Sequence, residues 1–151
     1  MRLMENNVKL IVDGDSFILL ESYSRRINNF SIIVPKNFKT DLASIPGPAR
    51  IFFKTFGKYT NAAVVHDFLY SELNATGINR FLADKIFLYI MREDGVSKVS
   101  SSLMYRAVRS FGELSWKKKI KNEGYKEQAL IDKTIEAQKY YKQWNRILKL
   151  D

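Results

Sequence analysis

The hydrophobic periodicity of this chain changes once, near Asn61, and that change limits the folds open to it. Before it, short apolar runs bounded by turn residues read as strands. After it, apolar residues recur three and four apart, as on helix faces. "VKLIV" (8–12) runs into Asp13-Gly14, a hairpin signal, and "SFILLESY" (16–23) follows. Beyond the polar stretch "SRRINN" (24–29), "FSIIVP" (30–35) predicts a third strand closed by Pro35. The expectation is an antiparallel β meander.

"KNFKTDLASIPGPARIFFKTFGKYT" (36–60) holds Pro46, Gly47, Pro48 and Gly57 and reads as a long irregular connection, the kind of segment that more often carries function than scaffold. Helical spacing then predicts a helix over 61–71 and a break at "LNATG". A second helix is predicted over 78–94, ending at Gly95, where a C′ glycine belongs. A third covers 97–112, with Ser97 as N-cap and Gly112 as its stop. Its stripe of Met104, Tyr105, Val108 and Phe111 reads as core. The tail, 113–151, is predicted as one amphipathic helix or two, with Leu130, Ile131, Ile135, Trp144 and Ile147 interleaved with Lys. The class is therefore α+β: a β meander, an irregular loop, a three-helix core and a C-terminal helical extension, divided as a domain over 1–112 and an extension over 113–151.

At 151 residues the chain is long enough to bury a core in one domain, and 46% apolar with 27% charged residues suits a globular protein. Zero Cys excludes disulfides, thiolate metal sites and a Cys nucleophile. No apolar run reaches the roughly 20 residues of a membrane span, and the first ten residues show no signal-peptide h-region. The formal net charge of +9 is spread along the chain and reads as a solvated surface. The densest cluster, "WKKKIK" (116–121), lacks the interleaved aromatics of a nucleic-acid platform, so specific nucleic-acid recognition is not expected. The tail aromatics Tyr140, Tyr141 and Trp144 suit docking on a partner or on another copy of the chain.

The chemistry gathers in "NAAVVHDFLYSELNATGINRFLADKIFLYIMREDG" (61–95), which contains the single histidine. His66 and Tyr70, four apart, share a helix face, and Arg80, Asp84 and Phe87 share one on the next helix. The short connection packs the two helices side by side, so Asp84 comes within reach of the imidazole. A carboxylate on one ring nitrogen fixes the tautomer and leaves the other nitrogen to take a proton from water. The same three residues also suit a buried polar network that pins the hairpin. Local spacing pairs Arg80 with Asp84 on their own helix, in competition with His66. Asp67 points elsewhere and, with Asp41 and the carbonyls around Gly47 and Gly57, offers oxygen ligands for calcium. In "TDLASIP", Asp41 and Ser44 either close a turn whose exit Pro46 fixes or stand at the rim of the His66 pocket, and Ser44 lacks the context of a nucleophile elbow.

Two resemblances attach to these residues. "FKTDLASIP" (38–46), "AAVVHDFLY" (62–70), "RFLADKIF" (80–87) and "MYRAVRSFG" (104–112) resemble the signature blocks of a phage and prophage family catalogued as domain of unknown function 1353. That resemblance implies a bacteriophage origin. "AAVVHDFLY…G…ADKIF" is similar to the catalytic helices of phospholipase A2, particularly the parvoviral capsid type. It implies His66 as base, Asp84 as its partner, Tyr70 as a supporting hydroxyl and Asp67 as a Ca2+ ligand. The Tyr-x-Gly-x-Gly calcium loop of that family has no counterpart here.

The expectation for function is a phage structural or morphogenetic protein, at the connector or tail, carrying a phospholipase-like His-Asp motif. Its setting would be the virion or the host cytoplasm, and its partners other virion proteins or a second copy bound through the C-terminal helix. The alternative is an active phospholipase A2-like hydrolase acting on membrane lipid of the host envelope; a third is a protein that binds a host factor.

Overall fold

The computed structural model describes residues 7–27, 30–42, 57–71, 73–74 and 78–116. Within them the class is α+β: antiparallel strands β1 (Leu10–Asp13), β2 (Ser16–Leu19), β3 (Tyr23–Ile27), β4 (Phe30–Val34) and β5 (Lys39–Thr40), then helices α1 (Thr60–Leu69), α2 (Arg80–Glu93) and α3 (Lys98–Phe111). The predicted tail helix beyond Trp116, with its aromatics, lies outside the described residues, as do Ser44, Pro46, Gly47 and Pro48.

The strands are shared between two sheets instead of running as one meander: β1-β2-β5 and β3-β4, all pairs antiparallel. The turn between β1 and β2 places Gly14, at φ +60°, at its first central position, where only a residue without a Cβ sits at ease. "SFILLESY" is not one strand; β2 ends at Leu19 and β3 starts at Tyr23. The stretch read as a polar break is itself mostly β3. Tyr23 and Ile27 are buried, and Arg25, on the same face between them, forms an ion pair with Asp94 at 2.7 Å. An inward arginine with an acidic partner lets a polar-looking segment act as a core strand. The connection after β4 also begins with structure, since Lys39 and Thr40 pair with Ile18 and Phe17 of β2.

α1 is buried on nearly every side and runs through the core: Ala62, Ala63, Val64 and Val65 are fully buried. It packs against α2, β4 and β5, and α3 packs against α2. Asn61 fastens its first turn by accepting the Val8 N–H at 3.0 Å and donating to Asp94 at 3.2 Å. α2 starts at Asn79, whose side chain accepts the Leu82 N–H at 2.9 Å. It ends in a Schellman motif: Gly95, at φ +85°, donates to Arg92, and Val96 donates to Met91. Ser97 caps α3 through the Ser100 N–H.

α3 ends at Phe111 with Gly112 at its C-cap, as the sequence predicts, but Gly112 does not take the left-handed conformation of a C′ glycine. Its φ is −72°, and helical residues resume over 113–116. The α3 stripe is also only partly core: Met104 and Val108 are buried, whereas Phe111 is 52% exposed. Among the described residues no helix is long and apolar enough to cross a membrane.

Candidate active site

α1 and α2 bring His66 and Asp84 together. Nε2 of His66 lies 2.7 Å from Oδ1 of Asp84, and both side chains are buried. Tyr70, one turn beyond His66, donates its hydroxyl to the same oxygen at 2.7 Å. The imidazole is held between the ring of Tyr70, 4.2 Å away between centroids, and that of Phe87, at 4.8 Å.

The other carboxylate oxygen is taken from α3: Arg109 Nη1 reaches Asp84 Oδ2 at 2.7 Å. Arg80 does not pair with Asp84 as helical spacing predicts. Its Nε donates to the Tyr70 hydroxyl at 3.2 Å, and its Nη2 donates to the carbonyls of Val108 and Arg109. These carbonyls lie in the last turn of α3, at the negative end of its dipole, which attracts a guanidinium. The result is a closed ring of hydrogen bonds across three helices, running Asp84–Tyr70–Arg80–Arg109–Asp84.

This ring decides the protonation of the site. Burial pushes Asp84 up, but the hydrogen bond and charge of His66, then the hydrogen bonds of Tyr70 and Arg109, outweigh it and hold the carboxyl below its usual 3.8. An ionised carboxylate only accepts, so Nε2 of His66 carries the proton of this hydrogen bond, and in the neutral imidazole the lone pair is on Nδ1. Nδ1 has no hydrogen-bond partner among the described residues. Burial and then the Asp84 charge push Tyr70 far above the usual tyrosine range, so its hydroxyl stays protonated and donating.

His66 and Tyr70 line a cavity of about 400 Å³. Its walls are Phe38, Ala107, Val108, Phe111 and Gly112, with Ser16, Lys39, Thr40, Asp41, Asp67, Ser71 and Ser115 adding polar groups. Asp84, Arg80 and Arg109 are not part of the wall; they stand behind it. Thr40 joins β5 to α1: its hydroxyl donates to Asp67 and accepts the Leu42 N–H at 3.0 Å. Leu42, buried and at φ +59°, occupies the left-handed region that non-glycine residues rarely adopt.

Asp67 and Asp41, expected as calcium ligands, thus both reach the cavity. Among the described residues no three His, Cys, Asp or Glu cluster closely enough to hold a metal ion. Gly57 does not line the cavity, and its carbonyl accepts the Thr60 N–H. Spacing along the sequence assigns neither Arg109 nor Thr40 to the site. Their only local signal is membership of the blocks "MYRAVRSFG" and "FKTDLASIP", which meet here with the other two blocks.

The arrangement defines a class: an α+β protein with a buried His–Asp pair at the wall of a largely apolar cavity. The family model described as "Protein of unknown function (DUF1353)" matches residues 18–108, well over half of the chain, and the protein belongs to that family. No curated protein and no solved structure matches it.

Proposed function

We propose that the cavity beside His66 is a hydrolase site, phospholipase A2-like in its chemistry, within a bacteriophage structural or morphogenetic protein. One observation carries the chemical part: His66 gives Nε2–H to a buried, ionised Asp84 and lines the cavity, while its Nδ1 has no hydrogen-bond partner among the described residues. Nδ1 takes a proton from a water molecule as that water attacks an ester carbonyl. The tetrahedral intermediate then collapses, the ester C–O bond breaks, and the imidazolium gives the proton to the leaving alkoxide. Asp84 stabilises the imidazolium and holds its orientation. The apolar wall of Phe38, Val108 and Phe111 suits an acyl chain. The phage setting, virion or host cytoplasm, rests on the resemblance of the four signature blocks to phage and prophage chains.

Calcium belongs to the proposal only through the phospholipase resemblance. Asp67 and Asp41 are hard oxygen donors on one cavity, the right kind for that ion, which takes about 6–8 oxygens. A cation held there would stabilise negative charge developing on a substrate oxygen.

A second reading, a structural knot, is favoured by the saturation of Asp84, whose two oxygens take three donors from two helices. Fatty-acid release from vesicles of phosphatidylethanolamine and phosphatidylglycerol separates the two. The hydrolase reading expects release by the wild type and a loss of roughly 10²–10⁴-fold in His66→Ala. No release by the wild type, together with a lower melting temperature in the variant, leaves the knot.

A further inference from the structure

We infer that Arg109 is the positioning residue of the pair, holding Asp84 so that His66 presents Nδ1 to the cavity. The inference rests on the reading of His66 and Asp84 as a dyad.

Both donors to Asp84 Oδ1 come from α1 and its C-cap, His66 and Tyr70. A carboxylate held by one oxygen still turns about its terminal torsion, which has broad wells. Arg109 takes the other oxygen from α3, on the far side, and removes that freedom. It is also permanently charged, so the carboxylate remains an acceptor and the proton between the two groups stays on Nε2.

Arg109 is itself held in place. Its guanidinium lies over the ring of Phe81, 5.3 Å from the centroid, and its carbonyl accepts from Arg80. Its side chain keeps 31% exposure and is not among the residues that line the cavity. It acts through Asp84.

The single histidine makes this readable without a substrate, because 15N-labelled histidine reports one imidazole. At neutral pH the wild type should show the Nε2–H tautomer, with the Nε2 proton exchanging slowly. Arg109→Gln should give mixed tautomers, and exchange faster by roughly ten- to hundredfold, the span of a hydrogen bond to a charged group. Arg109→Lys, which restores the charge without the planar fork, should fall between. Arg92→Gln is the control: it cuts a different α2–α3 tie, from Arg92 to Ser101 and Ser102, and should leave the spectrum unchanged.

A wild-type spectrum in Arg109→Gln overturns the inference, as does the same change in Arg92→Gln. Failure of both Arg109 variants to fold overturns it as well, because the role is then structural. A wild type that releases no fatty acid, but whose tautomer shifts in Arg109→Gln, removes the hydrolase reading and leaves the positioning role standing.

Discussion

A Cβ on Gly112 would lie 2.8 Å from the hydroxyl of Tyr70, and 2.5 Å from the carbonyl oxygen of Val108. That hydroxyl cannot step aside cheaply, because it donates to Asp84 and accepts from Arg80. Gly112 is therefore glycine for close approach; its φ of −72° is open to any residue. Gly112→Ala should displace Tyr70 and cost about 1–3 kcal/mol, the usual toll of overpacking. A thermal melt checks the stability, and histidine NMR checks whether His66 responds. A variant as stable as the wild type, with an unchanged imidazole signal, would show that Tyr70 has room.

The two halves of the dyad should differ in what they contribute to stability. Asp84 is fully buried and accepts from three side chains. Asp84→Ala leaves Arg109 and Tyr70 without their acceptor and should cost about 3 kcal/mol, the lower end for a broken buried pair because Arg109 is partly exposed. His66→Ala removes one donor and leaves the carboxylate satisfied by Tyr70 and Arg109, so it should cost less. Denaturant unfolding of both variants orders them. Equal losses would mean that the imidazole holds the hairpin as firmly as the carboxylate does.

The same carboxylate sets an acid dependence. Its folded value lies below the usual 3.8, held there against burial by His66, Tyr70 and Arg109. A depressed acid stabilises the fold in full above its unfolded value of about 3.9, and that stability is lost as pH falls through the folded value. The stability gap between wild type and Asp84→Asn should thus be constant from pH 7 to about 5 and narrow below about 4. Unfolding curves at pH 7, 5, 4 and 3 measure it. A gap that stays the same down to pH 3 would assign the acid sensitivity to other groups.

What was legible in the sequence was local. His66 and Tyr70 share a face by their spacing, as do Asp84 and Phe87, and a short connection juxtaposes the faces. Gly95 and Ser97 mark helix ends through backbone chemistry that spans a few residues. Long-range partners escaped the same reasoning. Arg25 looks like loop polarity until Asp94, 69 residues away, is placed against it. Arg80 and Asp84 have the spacing of an ion pair, yet the carbonyls at the end of α3 draw Arg80 away and Arg109 takes its place. An arginine near the end of an amphipathic helix usually faces water, so helical spacing does not mark Arg109. Phe111 has the spacing of a core residue, but the space it faces is the cavity.

Thr40 supplies the last prediction, because it tests whether the "TDL" segment is part of the site or merely beside it. Its hydroxyl donates to Asp67 and accepts the N–H of Leu42, whose backbone sits at φ +59°. One side chain thus ties α1 to a strained turn on the cavity wall. Thr40→Val keeps the shape and the strand propensity but removes both bonds. The buried Leu42 N–H loses its acceptor, and a cost of about 1–3 kcal/mol is expected. Thr40→Ser keeps the hydroxyl and should retain most of the stability. Asp67→Asn keeps an oxygen for the Thr40 hydroxyl while removing the charge, so it should melt close to the wild type. If lipid hydrolysis is stimulated by calcium, Asp67→Asn should lose that stimulation, whereas Thr40→Ser should keep it. Melting curves and vesicle assays with and without calcium, run on all three variants, separate the turn's structural role from the charge of Asp67. Equal stimulation in the wild type and Asp67→Asn would remove Asp67 from any calcium site and leave it as the anchor of the turn.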